Sequence, residues 1–371
     1  MLDPAEDVRY AHCQMTKNGL MKSALLLLLK AFLLCSPQVK ADEGLGMLSL
    51  SDLLLEPTFT YSEGTRGNFS LGASYLEATW RREAMISGVI KIGPQSLIGK
   101  PARYSAAASD DVAIIEGFAQ ADTDWGRVRL GLVPLPFGVE GGDAERRLRF
   151  PRSLPYRTGF LGLRDYGFNY RISYEGFFSE WAAHNGEGGA NLDDETWFTA
   201  RWGWQGGRFF RIGFSGATGR TTPRSTNPQG TTLNLPELGL DVNKMARVRI
   251  ANFFLDWEIS PVRLEVEANA ADTRQDETDI KFRALRVDLE YQTGASVNLL
   301  ARYDAMDPRN DVEGDQITEL SAGFAWRSQY ENSVLYVIGT KRMQQDVPHD
   351  VHRGMILWRV TPAALKFGAP L

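Results

Sequence analysis

Apolar and polar side chains alternate with period two along most of this chain. Val262, Leu264, Val266 and Ala268 fall on one side of a run whose other side carries Arg263, Glu265, Glu267 and Asn269. Phe168, Tyr170, Ile172 and Tyr174 alternate with Asn169, Arg171, Ser173 and Glu175, and Phe198, Ala200, Trp202 and Trp204 alternate with Thr199, Arg201 and Gly203. Such spacing puts residues i and i+2 on one face of a β-strand. Applied from end to end, it predicts about sixteen strands, near 54–61, 68–80, 84–93, 111–122, 125–132, 165–175, 177–184, 195–204, 208–218, 245–258, 262–270, 280–291, 295–304, 316–327, 332–340 and 353–360. The connections between them alternate in length. Those at 81–83, 123–124, 176, 205–207, 259–261, 292–294 and 328–331 are short, and those at 94–110, 133–164, 185–194, 219–244, 271–279, 305–315 and 341–352 are long, with 62–67 intermediate. Tight turns at one rim and long loops at the other are what an outer-membrane barrel requires. The expected fold is all-β: a transmembrane, antiparallel, up-and-down β-barrel of about sixteen strands.

Period two does not say which face meets water. In a soluble sandwich the apolar face points inward; in a membrane barrel it meets lipid and the polar face lines the lumen. Two features favour the barrel. Tyr61, Trp80, Trp125, Phe177, Phe178, Trp202, Trp204, Trp257, Trp326, Tyr330 and Trp358 gather near strand ends, where a barrel carries its interfacial girdles. The 330 residues from position 42 onward are also too many for one sandwich core and show no break into two. A soluble periplasmic sandwich and a non-channel surface barrel stand as rivals.

The N-terminal region fixes the expected compartment. Met21-Lys22-Ser23-Ala24 leads into an apolar run, Leu25 to Leu34, broken by Lys30 and followed by Val39-Lys40-Ala41 and Asp42. A charged start, an apolar centre and a small residue before the cut describe a signal peptide ending at Ala41. Residues 1–41 are therefore expected to be an N-terminal extension plus cleaved leader with translation starting at Met21, and 42–371 the barrel. A lipoprotein reading of Leu33-Leu34-Cys35 lacks the small residue expected before the cysteine. Cys13 and Cys35 are the only cysteines, so the exported chain has neither a disulfide nor a cysteine metal site. A net charge of −5 argues against general nucleic-acid binding.

Arginines recur where alternation assigns side chains to the lumen: Arg127, Arg129, Arg171, Arg201, Arg211, Arg249, Arg263, Arg286 and Arg302. A guanidinium offers a rigid fork of donors to carboxylate and phosphate, so a row of them would draw small anionic solutes. The competing reading pairs them with Glu265, Glu267, Asp288 and Glu290, which fixes the wall without conferring selectivity. The segment Arg127 to Arg211 has fewer acids and is the better anion path. The third long loop, 133–164, carries Arg146, Arg147, Arg149, Arg152, Arg157 and Arg164. Folded inward, these arginines form a constriction; projecting outward, they contact lipopolysaccharide phosphates.

The stretch from Trp125 through Val133-Pro134-Leu135-Pro136-Phe137-Gly138, then Leu163-Arg164-Asp165-Tyr166-Gly167, then Gly176 to Gly186 resembles the central block of the phosphate-selective porin O and P family. Leu300 to Asp307 and Leu320 to Trp326 are similar to its late strands. The resemblance implies a sixteen-stranded, trimeric outer-membrane channel for small anions with its third loop in the pore. The chain departs from the family in its scarcity of lysine and in ending Phe367-Gly368-Ala369-Pro370-Leu371 rather than in an aromatic residue.

Enzyme chemistry finds few candidates. His349 and His352 flank Asp350-Val351 in a predicted outer loop, a weak metal site. His184 reads as a turn residue at a strand end. The acidic stretches 271–279 and 307–315 are at most loose calcium ligands. The sequence thus points to a passive channel that needs no cofactor.

Overall fold

Strand after strand carries large apolar side chains on one face and charges on the other, and the computed structural model exposes the apolar face and buries the polar one. Trp202, Phe214, Leu289, Leu299, Phe324, Ile356 and Trp358 are all exposed, while Glu180, Arg201, Glu265, Glu267, Arg286, Asp288, Arg302 and Asp304 are buried. A soluble domain has the reverse arrangement. The structure describes residues 47–361, except 66, 82–84, 95–96, 98–111, 142–144, 158–160, 187–194, 208, 222–239, 242–243, 295, 329–331 and 345–349. The proposed leader, His349 and Tyr330 lie outside the described residues.

One antiparallel sheet contains β1 (Met47–Leu54), β2 (Thr58–Ser62), β3 (Asn68–Ser70), β4 (Tyr75–Arg81), β5 (Ile86–Pro94), β6 (Val112–Thr123), β7 (Gly126–Pro134), β8 (Arg164–Tyr174) and β9 (Phe177–His184). It continues through β10 (Trp197–Gly206), β11 (Phe210–Thr221), β12 (Ala246–Ile259), β13 (Val262–Gln275), β14 (Thr278–Gln292), β15 (Val297–Asp307), β16 (Ile317–Arg327), β17 (Ser333–Gln344) and β18 (Val351–Val360). From β4 to β18 each strand pairs with the next in sequence, β18 also pairs with β2, and β1 pairs with β4. Among the described residues no helix is long and apolar enough to cross a membrane.

The sheet has eighteen strands where about sixteen were expected, and the excess lies at the N-terminal end. β1 precedes the first predicted strand and is separated from β2 by Leu55, Glu56 and Pro57. Proline has no N–H to give a ladder. The predicted strand 68–80 splits into β3 and β4 at Gly72, whose φ of 52° turns the chain. A second difference concerns 271–279, expected to be a long loop. There β13 and β14 continue pairing as far as Gln275 and Thr278, leaving only Asp276 and Glu277 as the turn. These two strands are 14 and 15 residues long, several more than the roughly 9–11 that cross a membrane.

The connection between β7 and β8 does not project away from the sheet. Its Phe137, Leu154, Tyr156, Leu161 and Leu163 pack with Trp197, Val248, Ile250, Ile280, Phe282, Met306 and Ile317. Phe150 joins Leu300, Ala325, Tyr336, Ile338 and Leu357. These partners sit on β10, β12 and β14–β18, so the loop lies across the polar face of strands distant in sequence. Its apolar contacts explain two departures from expectation. Ala246, Val248 and Ile250 turn toward the loop, which puts Arg249 on the exposed face instead of the expected lumen side. Phe178, expected in the outer girdle, is buried with Val139 and Phe254.

Candidate functional site

The segment from Leu135 to Leu163 and the polar side chains beneath it form the most highly connected polar region described. Gly138 starts it with φ of 55°, a left-handed conformation suited to glycine. A Cβ there would also collide with the Glu267 carboxylate. The close approach lets the Gly138 N–H donate to Ser215 Oγ at 2.9 Å, and the Val139 N–H to Glu267 Oε2 at 3.2 Å. Arg201 donates to the Gly138 carbonyl at 2.8 Å while holding Glu180 at 2.7 Å.

Glu140 is the centre of the attachment. Its carboxylate accepts from Arg286 at 3.1 Å and Arg302 at 3.3 Å, and from the Ser153 N–H at 2.9 Å and hydroxyl at 2.6 Å. Arg286 also meets Asp288 at 2.9 Å and Glu265 and Glu267 at 3.3 Å each. Arg302 holds Asp288 and donates to the Pro151 carbonyl. Glu145 is shared by Arg152 and Arg164, the latter also 2.8 Å from Glu116. Burial opposes the charge on Glu145, yet Arg164, Arg152 and Lys91 hold its carboxyl well below the usual range. The short helix α1 (Leu154–Arg157) begins with the Leu154 N–H donating to Asp304 at 2.7 Å. Arg157 pairs with Glu319, Arg149 with Glu290 at 2.8 Å, and Arg359 donates to the Leu148 carbonyl. The loop therefore bonds to β8, β10, β11, β13, β14, β15, β16 and β18.

The structure places Arg127, Arg129, Arg171, Arg201, Arg211, Arg263, Arg286 and Arg302 together on the polar face. It does not leave them equally available. Arg263 is held by Asp256 and Glu265, and Arg211 lies 3.6 Å from Asp256. Arg127 pairs with Asp122 at 2.6 Å, with both side chains about two-fifths exposed. Arg129 bonds to Gln120 at 2.9 Å and lies over the Phe118 ring, but neither it nor Arg171 has a carboxylate within 4 Å among the described residues. Arg127 and Arg171 are direct cross-strand neighbours. Of the loop arginines, Arg149, Arg152 and Arg157 are engaged in ion pairs, Arg147 is exposed, and the side chain of Arg146 lies outside the described residues.

Sequence reasoning missed Glu140 and Glu145. A lone acid in an arginine-rich loop carries no periodic signal, and the bonds of Glu140 to Arg286 and Arg302 span 146 and 162 residues. It also missed a relay in which His184 Nδ1 lies 2.8 Å from Asp165 and Nε2 lies 2.8 Å from the Thr199 hydroxyl. The three resemble a nucleophile, base and orienting acid, but all are buried, His184 beside Trp197. The relay ties β8, β9 and β10 together. Near the predicted histidine pair, Asp350 is bound to Lys341 at 2.8 Å. Among the described residues no three metal-ligating side chains converge.

No protein-family model matches the chain, and no curated protein sequence matches it. Solved structures do. OmpT, an outer membrane protein of Vibrio cholerae seen in a trimer form, superposes with a TM-score of 0.63 at 14% identity, covering 85% of this chain and 99% of that one. An anion-selective porin from Comamonas acidovorans gives 0.63 at 10% identity, with 85% and 99% covered. The outer membrane channel DcaP of Acinetobacter baumannii gives 0.61 at 8% identity, with 86% and 98% covered. The chain shares the fold of these outer-membrane proteins.

Proposed function

We propose that this chain is a passive diffusion channel of the bacterial outer membrane, exported by the leader in residues 1–41, and that it passes small hydrophilic solutes with a preference for anions. One observation carries the reading: large apolar side chains lie exposed on one face while ionisable ones are buried on the other around an inserted loop. That distribution fits hydrocarbon outside and a polar interior. The pairings of β9 with β10 and of β18 with β2 support closure of the sheet into a barrel. Counting β1 with β2 and β3 with β4 as two interrupted staves gives the sixteen of the resemblance. Loop 135–163 is the constriction. The trimer form of OmpT and the resemblance both support a homotrimer. Passive flow requires neither a cofactor nor an active site.

The anion preference rests on Arg129 and Arg171, with Arg127 beside them. Most other arginines are matched by carboxylates, so the interior has few free donors with which to strip water from phosphate. Small anions in general therefore fit better than phosphate alone. The test is conductance in planar bilayers with a salt gradient. A unit charge about 4 Å from an ion is worth roughly 1 kcal/mol in water. Replacing both residues (R129E with R171E) should therefore move the anion-to-cation permeability ratio by about fivefold or more toward cations. Cation preference in the parent protein would refute the arginine path. Absence of conductance from correctly folded protein would replace the channel with a structural or surface-binding barrel.

A further inference from the structure

The exposed face changes character at the end of β11–β14 that bears the connection 222–245. Below, it is apolar: Phe214, Phe253, Leu255, Leu285 and Leu289. Above, Arg220 of β11 is directly opposite Arg247 of β12, which is directly opposite Arg274 of β13. Neighbouring strands are about 4.8 Å apart, so the three guanidinium stems form one row roughly 10 Å wide. One step lower, Arg249 and Lys281 flank Asp272, and one step lower again Arg283 faces Asp307.

All six basic residues are exposed. The facing acids are fewer: Asp272, Asp279 and Asp307, with Asp276 at the turn held by Lys244 at 2.7 Å. Arg274 is 3.7 Å from Asp279, whereas Arg220, Arg247, Arg249 and Lys281 have no ion pair among the described residues. Like charges directly opposite one another on a sheet are unfavourable unless something neutralises them. A row of arginines immediately above a hydrocarbon-facing band lies where the headgroups of the leaflet lie.

We propose that the exposed rim of β11–β14 is a docking strip for the phosphate groups of a phosphorylated lipid in the outer leaflet, with Arg220, Arg247 and Arg274 as its principal donors. The inference rests on the membrane-barrel part of the functional reading and not on ion flow. Arginine forks bind phosphate oxygens two at a time, and the apolar band below takes the acyl chains. The strip uses side chains on the face opposite the pore, so a lipid there leaves the solute path open.

The test compares the parent with R220Q/R247Q/R274Q and with the charge-preserving R220K/R247K/R274K, each reconstituted in neutral phosphatidylcholine nanodiscs. The probes are bis-phosphorylated lipid A, its dephosphorylated form and inorganic phosphate, with bound lipid A read by native mass spectrometry. One basic residue near a charged headgroup is worth about fivefold in affinity, so losing three should weaken lipid A binding roughly a hundredfold. The lysine variant should retain most binding, the dephosphorylated lipid should bind weakly to the parent, and added salt should weaken the phosphorylated one. Equal binding by parent and glutamine variant, equal binding of both lipids, or displacement by equimolar inorganic phosphate would overturn the proposal. So would equal loss in the lysine and glutamine variants. Conductance measured on the same samples separates the two readings: a silent parent that still retains lipid A rejects the channel and leaves the strip standing.

Discussion

Replacing Arg286 with alanine is expected to be the most damaging single substitution on the polar face, lowering stability by about 3–5 kcal/mol. Its guanidinium is 2% exposed and meets Glu140, Glu265, Glu267 and Asp288 within 3.3 Å. Removing the cation leaves four buried carboxylates gathered around the space it filled. Glu140 keeps Arg302 and Ser153, so the loop is weakened more than released. Unfolding of vesicle-reconstituted protein by denaturant should show the loss, together with faster tryptic cutting at Arg149, Arg152 and Arg157. Arg127→Ala is the contrast: the Arg127–Asp122 pair is about two-fifths exposed, and such pairs contribute about 0–1 kcal/mol. Equal effects from the two substitutions would mean that the lattice around Glu140 does not exist as described.

A charge placed on the opposite face should do damage of similar size for a different reason. Leu289 is 44% exposed within the apolar band of β14, six residues beyond Arg283 of the basic rim and level with Leu264 and Ala301 on the adjacent strands. Arginine at the centre of a lipid-facing band costs about 2–4 kcal/mol, and near the interface only about 0–1. Leu289→Arg should therefore lower the denaturant midpoint of protein folded into vesicles, while Ala251→Arg, one step from the basic rim, should change little. The same pair of variants in a soluble sandwich with this face in water would be almost neutral. A flat response to Leu289→Arg would remove the membrane from the account.

Much of the fold was legible because alternation is a local signal. The faces of β13 follow from its own residues, Val262 to Ala268 against Arg263 to Asn269, and the structure keeps that division. What failed were positions whose surroundings come from elsewhere in the chain. At the level of the inserted loop the inward side is apolar, since Val248, Ile250, Ile280 and Phe282 pack on Leu154, Tyr156 and Leu161. Reading every arginine as inward therefore misplaced Arg249, and reading every strand-end aromatic as outward misplaced Phe178. The acidic stretch 271–279 looked like a loop by composition. There Asp272 to Gln275 pair in register with Thr278 to Lys281, and Arg274 lies 3.7 Å from Asp279. The arginines of the candidate site were legible as residues, but not their partners. Glu140 and Glu145 acquire a role only when the loop lies on strands far along the sequence, and their presence decides which arginines remain free.

The claim on which everything else depends is that hydrocarbon covers the apolar face. Residues 42–371 contain no cysteine, so single cysteines at Leu320, Ser321, Ala322, Phe324 and Ala325 of β16, all outside the ion-pair clusters, can each carry a fluorophore. Reconstituted in vesicles with brominated acyl chains, labels at 320, 322 and 324 should be strongly quenched and those at 321 and 325 spared. Quenching with the opposite phase, or with no period of two, would contradict the account.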